Sequence, residues 1–469
     1  MIPAPPGRRA DPAAVRAVAE ALAVTFSPGQ LARDPDVLAA YGRDESGSGE
    51  FPSDLVVFAE KTEHVSRVLR TCQQHGVPVT PVGARSGKSG GSLPLYGGVS
   101  LSLERMNQIL SISGEDLVAV CQPGVVTGEL MRAVEEKGLF YPPDPNSWEW
   151  CTLGGNIAEN AGGPRALKYG VTRDYVLGLE WVLPDGEVVR VGRRTIKGVA
   201  GYDLTGLFVG SEGTLGVATE ITLQLIPLPR VVKTALLLFR DVAHAARAVT
   251  AVLQGGILPR TLELLDDVAV KAVDGRGFSF PPGTGSAVLA EVDGTDDDAV
   301  MAELARLGEI CEANGATETL LAEEGRQREQ LWAARRVLST ALRALKPQKV
   351  SEDIAVPRSR MVEVIERLKQ MGAELGLTVA TYGHAGDGNL HANILYDGPH
   401  ERAKVEEAIQ RMLRITVEVG GTITGEHGVG HAKRDYLPIE QAPELIALQK
   451  RFKALLDPRG LMNPGKMFL

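Results

Sequence analysis

PVGARSGKSGGSLP, Pro81 to Pro94, contains Gly87-Lys88-Ser89, the closing triplet of a nucleotide-binding P-loop. A P-loop also needs a glycine separated from that triplet by four residues and a helix directly after it, because the helix N-terminus completes the anion site. Val82 stands where the glycine belongs. The triplet is followed by Gly90-Gly91-Ser92-Leu93-Pro94 and then by the alternating run VSLSL, Val99 to Leu103, which reads as loop and strand. The P-loop reading therefore fails twice. A run of glycines, serines and two cations still aligns backbone N–H groups as an anion-binding nest, so a pyrophosphate held by loop backbone is the reading retained. A glycine-rich surface loop is the competing one.

Working outward, LVVFA (Leu55 to Ala59) and VPVTPV (Val77 to Val82) read as strands. Between them Thr62 reads as the cap of a helix running to about Gln74, which makes a β-α-β unit with the glycine loop at a strand's carboxyl end. Asp11 to Ala23 has helical composition. VAVCQPG reads as a strand, TGELMRAVEEKG as a capped helix, LEWVLPDGEVVRVG as a hairpin turning at Asp185-Gly186, and GVATEITLQLI as a last strand. The proline-punctuated IPLPRVV, Ile226 to Val232, marks a boundary. Beyond it, strands TALLLF and SAVLAEVD alternate with helices at Asp241 to Leu253, Asp296 to Asn314 and Gly325 to Leu345, the pattern of an antiparallel sheet covered by helices. The expected class is α+β, with domains at residues 1–228 and 229–420 and a C-terminal segment at 421–469.

With 469 residues, two or three domains are expected. A net charge of −9 argues against nucleic acid as a partner, and the pairs Arg8-Arg9, Arg193-Arg194 and Arg335-Arg336 are too small to reverse it. No apolar run approaches the roughly 18 residues of a membrane span. MIPAPPGRRA lacks the apolar centre of a signal peptide, so a cytoplasmic protein is expected. Cys72, Cys121, Cys151 and Cys311 form no CxxC pair, which disfavours a thiolate metal or iron–sulfur site and predicts free buried thiols.

Four more loops accompany the first: PPDPNS (Pro142 to Ser147), CTLGGNIAENAGG (Cys151 to Gly163), GSEGTLG (Gly210 to Gly216) and NPGK (Asn463 to Lys466). None has the GxGxxG spacing of a nicotinamide dinucleotide site. So many close-approach loops suit a long, flat, phosphate-linked ligand. In order and spacing, PxGAxSGxSGG, PPDPxS, TLGGNIAENAGG, GSEGTLG and NPGK resemble the FAD-binding domain of the vanillyl-alcohol-oxidase superfamily over nearly the whole chain. The chain is most similar there to the flavin-linked D-2-hydroxyacid dehydrogenases, the group of the glycolate oxidase catalytic subunit, D-lactate dehydrogenase and D-2-hydroxyglutarate dehydrogenase. The resemblance implies a PCMH-type FAD-binding domain, a substrate domain of antiparallel sheet and helices, and a C-terminal segment returning to the first. It further implies that Val82, Gly83, Ala84, Arg85, Ser86, Gly87, Lys88 and Ser89 hold the pyrophosphate, with Lys88 expected to face solvent. Pro143, Gly154, Gly155, Asn156, Ala161, Gly162, Val217 and Asn463 would line the rest of the flavin. No histidine lies between Pro81 and Pro94, where some members attach FAD covalently, so noncovalent FAD is expected.

TYGHAGDGNLHANIL, Thr381 to Leu395, carries two histidines seven apart. If Asn389 to Leu395 is a strand, Asn389, His391 and Asn393 share one face, and Gly386-Asp387-Gly388 turns His384 back toward it. GTITGEHGVGH, Gly421 to His431, adds Glu426 and His427 between glycines. His384, His391 and Glu426 then make a two-histidine, one-carboxylate set suited to zinc, manganese or ferrous iron, with zinc taken first. Structural hydrogen bonding by the histidines is the alternative. The resemblance agrees with the metal, since GHxGDGNLHxN and GEHGVG match the group's metal-binding signatures. Hydride removal from a hydroxyl-bearing carbon needs a base, and His427 fits. By resemblance, Arg335 pairs with the substrate carboxylate, with Ser339 and Asn393 in support; Arg336 is read as a solvated charge. Ser351 stands where D-2-hydroxyglutarate dehydrogenases carry a lysine, which favours lactate or glycolate, while Lys349 keeps the dicarboxylate open. The expected reaction is oxidation of a D-2-hydroxy acid to the 2-oxo acid. Electrons pass to an external acceptor: a quinone, an electron-transfer flavoprotein, a cytochrome or an iron–sulfur subunit. A homodimer or a place in a larger complex is open, including attachment to the inner membrane face through a partner. A flavin-free metal-dependent hydrolase and a noncatalytic flavin-binding subunit are the rival readings.

Overall fold

A computed structural model describes residues 9–276, 278–322 and 325–468. Most of the segment read for a leader, and Arg8 of the Arg8-Arg9 pair, lie outside them. The chain divides into two compact units. The first takes the chain up to Ala161, then Val171–Leu228 and the stretch from His427 onward; the second takes Gly162–Gly170 and Pro229–Glu426.

The first unit holds a four-stranded sheet of β1 (Leu31–Ala32), β2 (Leu55–Phe58), β3 (Val79–Val82) and β4 (Val99–Ser102), in the order β1-β2-β4-β3. β2, β4 and β3 run parallel, so β2 and β3 need a crossover. The helix Thr62–His75 supplies it, burying Val65, Val68, Leu69 and Cys72 at helical spacing and ending at Gly76 with φ 71°. Lys61, not Thr62, occupies the cap position. Thr62 is the first helical residue, and its hydroxyl donates to Glu180 at 2.6 Å. The crossover delivers the chain to the carboxyl end of β3, where Val82 opens the glycine loop.

A second sheet is antiparallel: β5 (Ile109–Ser113), β6 (Val118–Cys121), β8 (Val176–Val182), β9 (Val188–Gly192) and β10 (Val217–Gln224), in the order β5-β6-β10-β8-β9. The β8–β9 hairpin closes at Asp185-Gly186, with Gly186 at φ 87° and its N–H donating to Leu183 O at 2.8 Å. A short ribbon pairs β7 (Leu139–Phe140) with β11 (Ile226–Pro227).

The second unit is one seven-stranded antiparallel sheet. Its strands are β12 (Val231–Phe239), β13 (Thr261–Leu265), β14 (Ser286–Gly294), β15 (Ala316–Ala322), β16 (Gln348–Ala355), β17 (Thr378–His384) and β18 (Asn389–Tyr396), in the order β15-β12-β14-β13-β17-β18-β16. Helices Val242–Gln254, Asp297–Ala313, Met361–Leu375 and Arg402–Glu418 pack against it. The single helix expected from Gly325 to Leu345 is instead three pieces, Gly325–Arg336, Leu338–Ala341 and a 3-10 turn Leu342–Ala344. The break at Val337 lets Leu338, Ala341 and Leu342 join the core around Leu265, Ala380 and Tyr382. All four cysteines are buried and free. Among the described residues no helix is long and apolar enough to cross a membrane.

Candidate active site

In the first unit the glycine loops converge. Asn463, at φ 43°, donates its side-chain amide to Gly91 O at 2.9 Å and Glu212 O at 2.8 Å, tying the C-terminal loop to two others. Glu212 accepts from Val429 N at 2.8 Å and Gly430 N at 2.6 Å, while Ser89 O accepts from His431 N and Ala432 N. The loops at 82–91, 210–216, 428–432 and 463–466 thus form one hydrogen-bonded set. Helix Leu153–Glu159 presents Gly154 and Gly155, and Asn156 donates to Thr127 Oγ1 at 2.7 Å. A Cβ on Gly83 would stand 2.6 Å from Thr152 Oγ1, so that loop admits no larger side chain without displacement. Val82 and Val217 are buried at the strand ends, and Ala161 closes the first unit's opening segment. Gly162, the next residue, is counted with the second unit. Lys88 is half exposed and pairs with Glu45 at 3.2 Å.

Do these residues fit FAD? Arg85 Nη1, Ser89 Oγ, Thr152 Oγ1 and Ser211 Oγ are buried and have no hydrogen-bond partner among the described residues. Four orphaned polar atoms on three glycine loops are what a polar, phosphate-bearing ligand would satisfy. Arg85 adopts φ 61° and lies 4.4 Å over the Tyr41 ring, which holds its guanidinium in place. The fit is good.

Beneath the loops lies a buried charge cluster that the sequence reading did not assign. Burial raises Glu212 to about 6, against two backbone N–H donors and Lys466. Glu159 is driven well above the ordinary carboxylate range by burial, then by the Glu212 and Asp44 charges. Burial brings Lys466 down to about 7, against Asp44 and Glu212, while its ammonium donates to Leu93 O at 2.6 Å.

In the second unit the sheet register builds the site. β17 pairs with β18 so that His384 faces Asn389 and Tyr382 faces His391. β16 sets Ser351 beside Asn393 and Asp353 beside His391, and β13 sets Glu263 beside His384. Residues directly opposite share a face, so the polar row crosses four strands. His384 Nε2 lies 3.6 Å, and His391 Nε2 3.7 Å, from the same Glu426 oxygen. Those separations are too long for hydrogen bonds. They are close to the spacing of about 3.3 Å that tetrahedral ligands would have around zinc. All three ligand atoms lie within 4.8 Å of one another, and the donor set fits a divalent cation.

Carboxylates hold this row in place. Glu263, with none of its surface exposed, takes His384 Nδ1 at 2.5 Å on one oxygen; the other takes Arg335 Nε at 2.7 Å and Nη2 at 2.6 Å. Burial alone would raise Glu263, but the His384 and Arg335 charges bring it to about 2. Glu263 in turn lifts His384 well above its usual value against burial. Asp353 accepts from Asn389 Nδ2 at 2.6 Å, Gly425 N at 2.9 Å and Glu426 N at 2.8 Å, fixing the glycine-framed turn that carries Glu426. Arg335 lies 4.9 Å over the Tyr382 ring, and Asn393 Oδ1 is buried without a partner among the described residues. Ser339 is exposed and accepts from Lys349 at 2.6 Å; Arg336 pairs with Glu329 at the surface. His427 opens the first unit's last segment, one residue after Glu426 closes the second unit. Glu263 and Asp353 were missed in sequence. The available signal was a lone carboxylate inside an otherwise apolar strand, TLELL, and the acidic pair in VSEDIA.

Two family models match: "FAD binding domain" at residues 53–192 and "FAD linked oxidases, C-terminal domain" at residues 228–467. The chain is 43% identical to the glycolate oxidase subunit GlcD of Bacillus subtilis, over 91% of this chain and 92% of that protein. It is 35% identical to D-lactate dehydrogenase of Anaerostipes hadrus, over 92% and 91%. The p-cresol methylhydroxylase structure superposes with a TM-score of 0.79 at 18% identity, covering 99% of this chain and 98% of that one, a likeness of fold. The flavin-free hydrolase reading falls with these matches. The glycine loops, their orphaned donors and the matched domains leave one conclusion: the chain belongs to the FAD-linked oxidases and is an FAD-linked oxidoreductase.

Proposed function

We propose that the protein oxidises a D-2-hydroxy acid to the corresponding 2-oxo acid. The observation that carries this reading is the similarity, over nine-tenths of both chains, to a glycolate oxidase subunit and a D-lactate dehydrogenase. FAD supplies, when bound, a two-electron acceptor for the hydride of the α carbon, and a divalent cation, zinc first, supplies polarisation of the hydroxyl oxygen. His384, His391 and Glu426 would hold the cation. His427 would take the O–H proton as the C–H electron pair leaves for that acceptor, so that a carbonyl remains. Arg335, its guanidinium pre-set by Glu263 and Tyr382, would pair with the substrate carboxylate, with Ser339 and Asn393 in support. Ser351 in place of a lysine supports a small or apolar-tailed acid, lactate or glycolate; Lys349, engaged by Ser339, is the group that would favour a dicarboxylate. An external acceptor takes the electrons onward: a quinone, an electron-transfer flavoprotein, a cytochrome or an iron–sulfur subunit. The cytoplasm, or the inner membrane face through such a partner, is the place this reading assigns.

The test is anaerobic addition of D-lactate, glycolate, D-2-hydroxyglutarate and the L enantiomers to the FAD-loaded protein. Bleaching of the visible flavin band by a D or achiral 2-hydroxy acid is expected. A flavin that no 2-hydroxy acid bleaches would leave the noncatalytic subunit. Replacing His427 by Ala should abolish bleaching with FAD still bound; retained bleaching removes His427 from the reaction.

A further inference from the structure

Glu263 is the buried charge whose placement asks most of the fold. It sits in the middle of β13, TLELL, whose five residues are all buried. A carboxylate in such a strand is tolerated only with full pairing. Its two oxygens are divided between partners with different tasks. One engages His384 Nδ1 at 2.5 Å; the other engages Arg335 through both Nε and Nη2. For His384 the consequence is chemical. A proton held on Nδ1 leaves Nε2 with its lone pair, and Nε2 is the atom facing Glu426. For Arg335 the consequence is geometric. With Nε and Nη2 engaged and the Tyr382 ring beneath, the Nη1 end makes no hydrogen bond among the described residues and points its donors away from Glu263.

We propose that Glu263 is a positioning residue for two functions at once, setting the ligating tautomer of His384 and the rotamer of Arg335, so that cation retention and carboxylate binding depend on the same group. This rests on the cation reading of His384, His391 and Glu426. A glutamine at position 263 keeps the shape but offers one acceptor and one donor. If its oxygen stays with Arg335, its amide N–H points at His384 Nδ1 and drives the proton to Nε2, where it blocks ligation.

The experiment compares FAD-loaded wild type with Glu263→Gln and Glu263→Asp, measuring zinc affinity against a competing chelator, flavin content and steady-state kinetics. Glu263→Gln should lose about 10- to 100-fold in zinc affinity and raise KM for the hydroxy acid, with flavin content unchanged. Glu263→Asp, which keeps the charge, should recover part of both. A folded Glu263→Gln that is less heat-stable yet binds zinc as tightly as wild type overturns the inference. Should the variant fail to fold, the ¹⁵N shifts of the His384 imidazole in zinc-loaded wild type decide: a proton on Nδ1 alone supports the proposal, and a proton on Nε2 or none on Nδ1 defeats it. Wild type that binds no zinc defeats the cation reading and this inference together. Wild type that binds zinc beside an equally tight Glu263→Gln defeats this inference alone.

Discussion

Glu212 and Glu263 are the same residue type, both buried, one in each unit, and their environments push them in opposite directions. Glu212 meets backbone N–H groups and shares its surroundings with other carboxylates, so burial wins and it rises to about 6. Glu263 meets an imidazole and a guanidinium, so the cations win and it falls to about 2. The contrast runs through both units. The first is organised by loop backbone and glycine, leaving orphaned donors for a large ligand. The second is organised by side-chain charge on a sheet, with Glu263 matched to two cations and Asp353 to N–H donors. A dinucleotide would be met by shape and dipoles, and the proposed acid and metal by formal charge.

The largest effect should come from the charged side. If His384, His391 and Glu426 hold the proposed cation, Glu426→Gln is expected to strip the metal and lower turnover on the order of 10³-fold. FAD content should not change. Metal analysis and flavin absorbance on one sample check both halves, and flavin lost together with metal would break the division of labour between the units.

The converse variant is Gly83→Val. Its Cβ would stand 2.6 Å from Thr152 Oγ1, and relieving that overlap costs about 1–3 kcal/mol, hence FAD retention weaker by about 5- to 150-fold. Fluorescence titration of the apoprotein with FAD measures it. Zinc affinity should stay at the wild-type value, which sharpens the contrast.

That division also decides what could be read without coordinates. The glycine loops were legible because each is a contiguous run whose composition states its backbone need, as PVGARSGKSGG does. His384 and His391 were legible because a short hairpin brings them together through local alternation. Glu263 was not, since it reaches His384 across 121 positions through the β13–β17 register, and no local pattern encodes which strands become neighbours. Asp353 was hidden for the same reason, meeting Glu426 N from 73 positions away. Thr62 shows a smaller failure: its capping chemistry was recognised, but a tertiary acceptor, Glu180, took the hydroxyl.

The smallest effect expected is also the one that separates the two carboxylates directly. Glu212 rises from 4.5 to about 6 on folding, so between those values the folded protein binds more protons than the unfolded chain. Stability attributable to it is then full below about 4.5 and declines as pH rises through about 6. Glu263 falls from 4.5 to about 2, so its contribution is full above about 4.5 and is lost only as pH drops toward about 2. Glu159, Asp44 and Lys466 exert their charges on Glu212 or its neighbours and titrate too, as does Asp387 in the second unit, so the wild-type slope alone identifies nothing. The difference between proteins does. Urea midpoints of wild type should fall between pH 4.5 and 6 more steeply than those of Glu212→Gln, while below pH 4.5 the two should run parallel. A Glu212→Gln protein with the wild-type slope would mean that the two backbone donors from Val429 and Gly430 outweigh burial, leaving both carboxylates ionised and the two units alike in this respect.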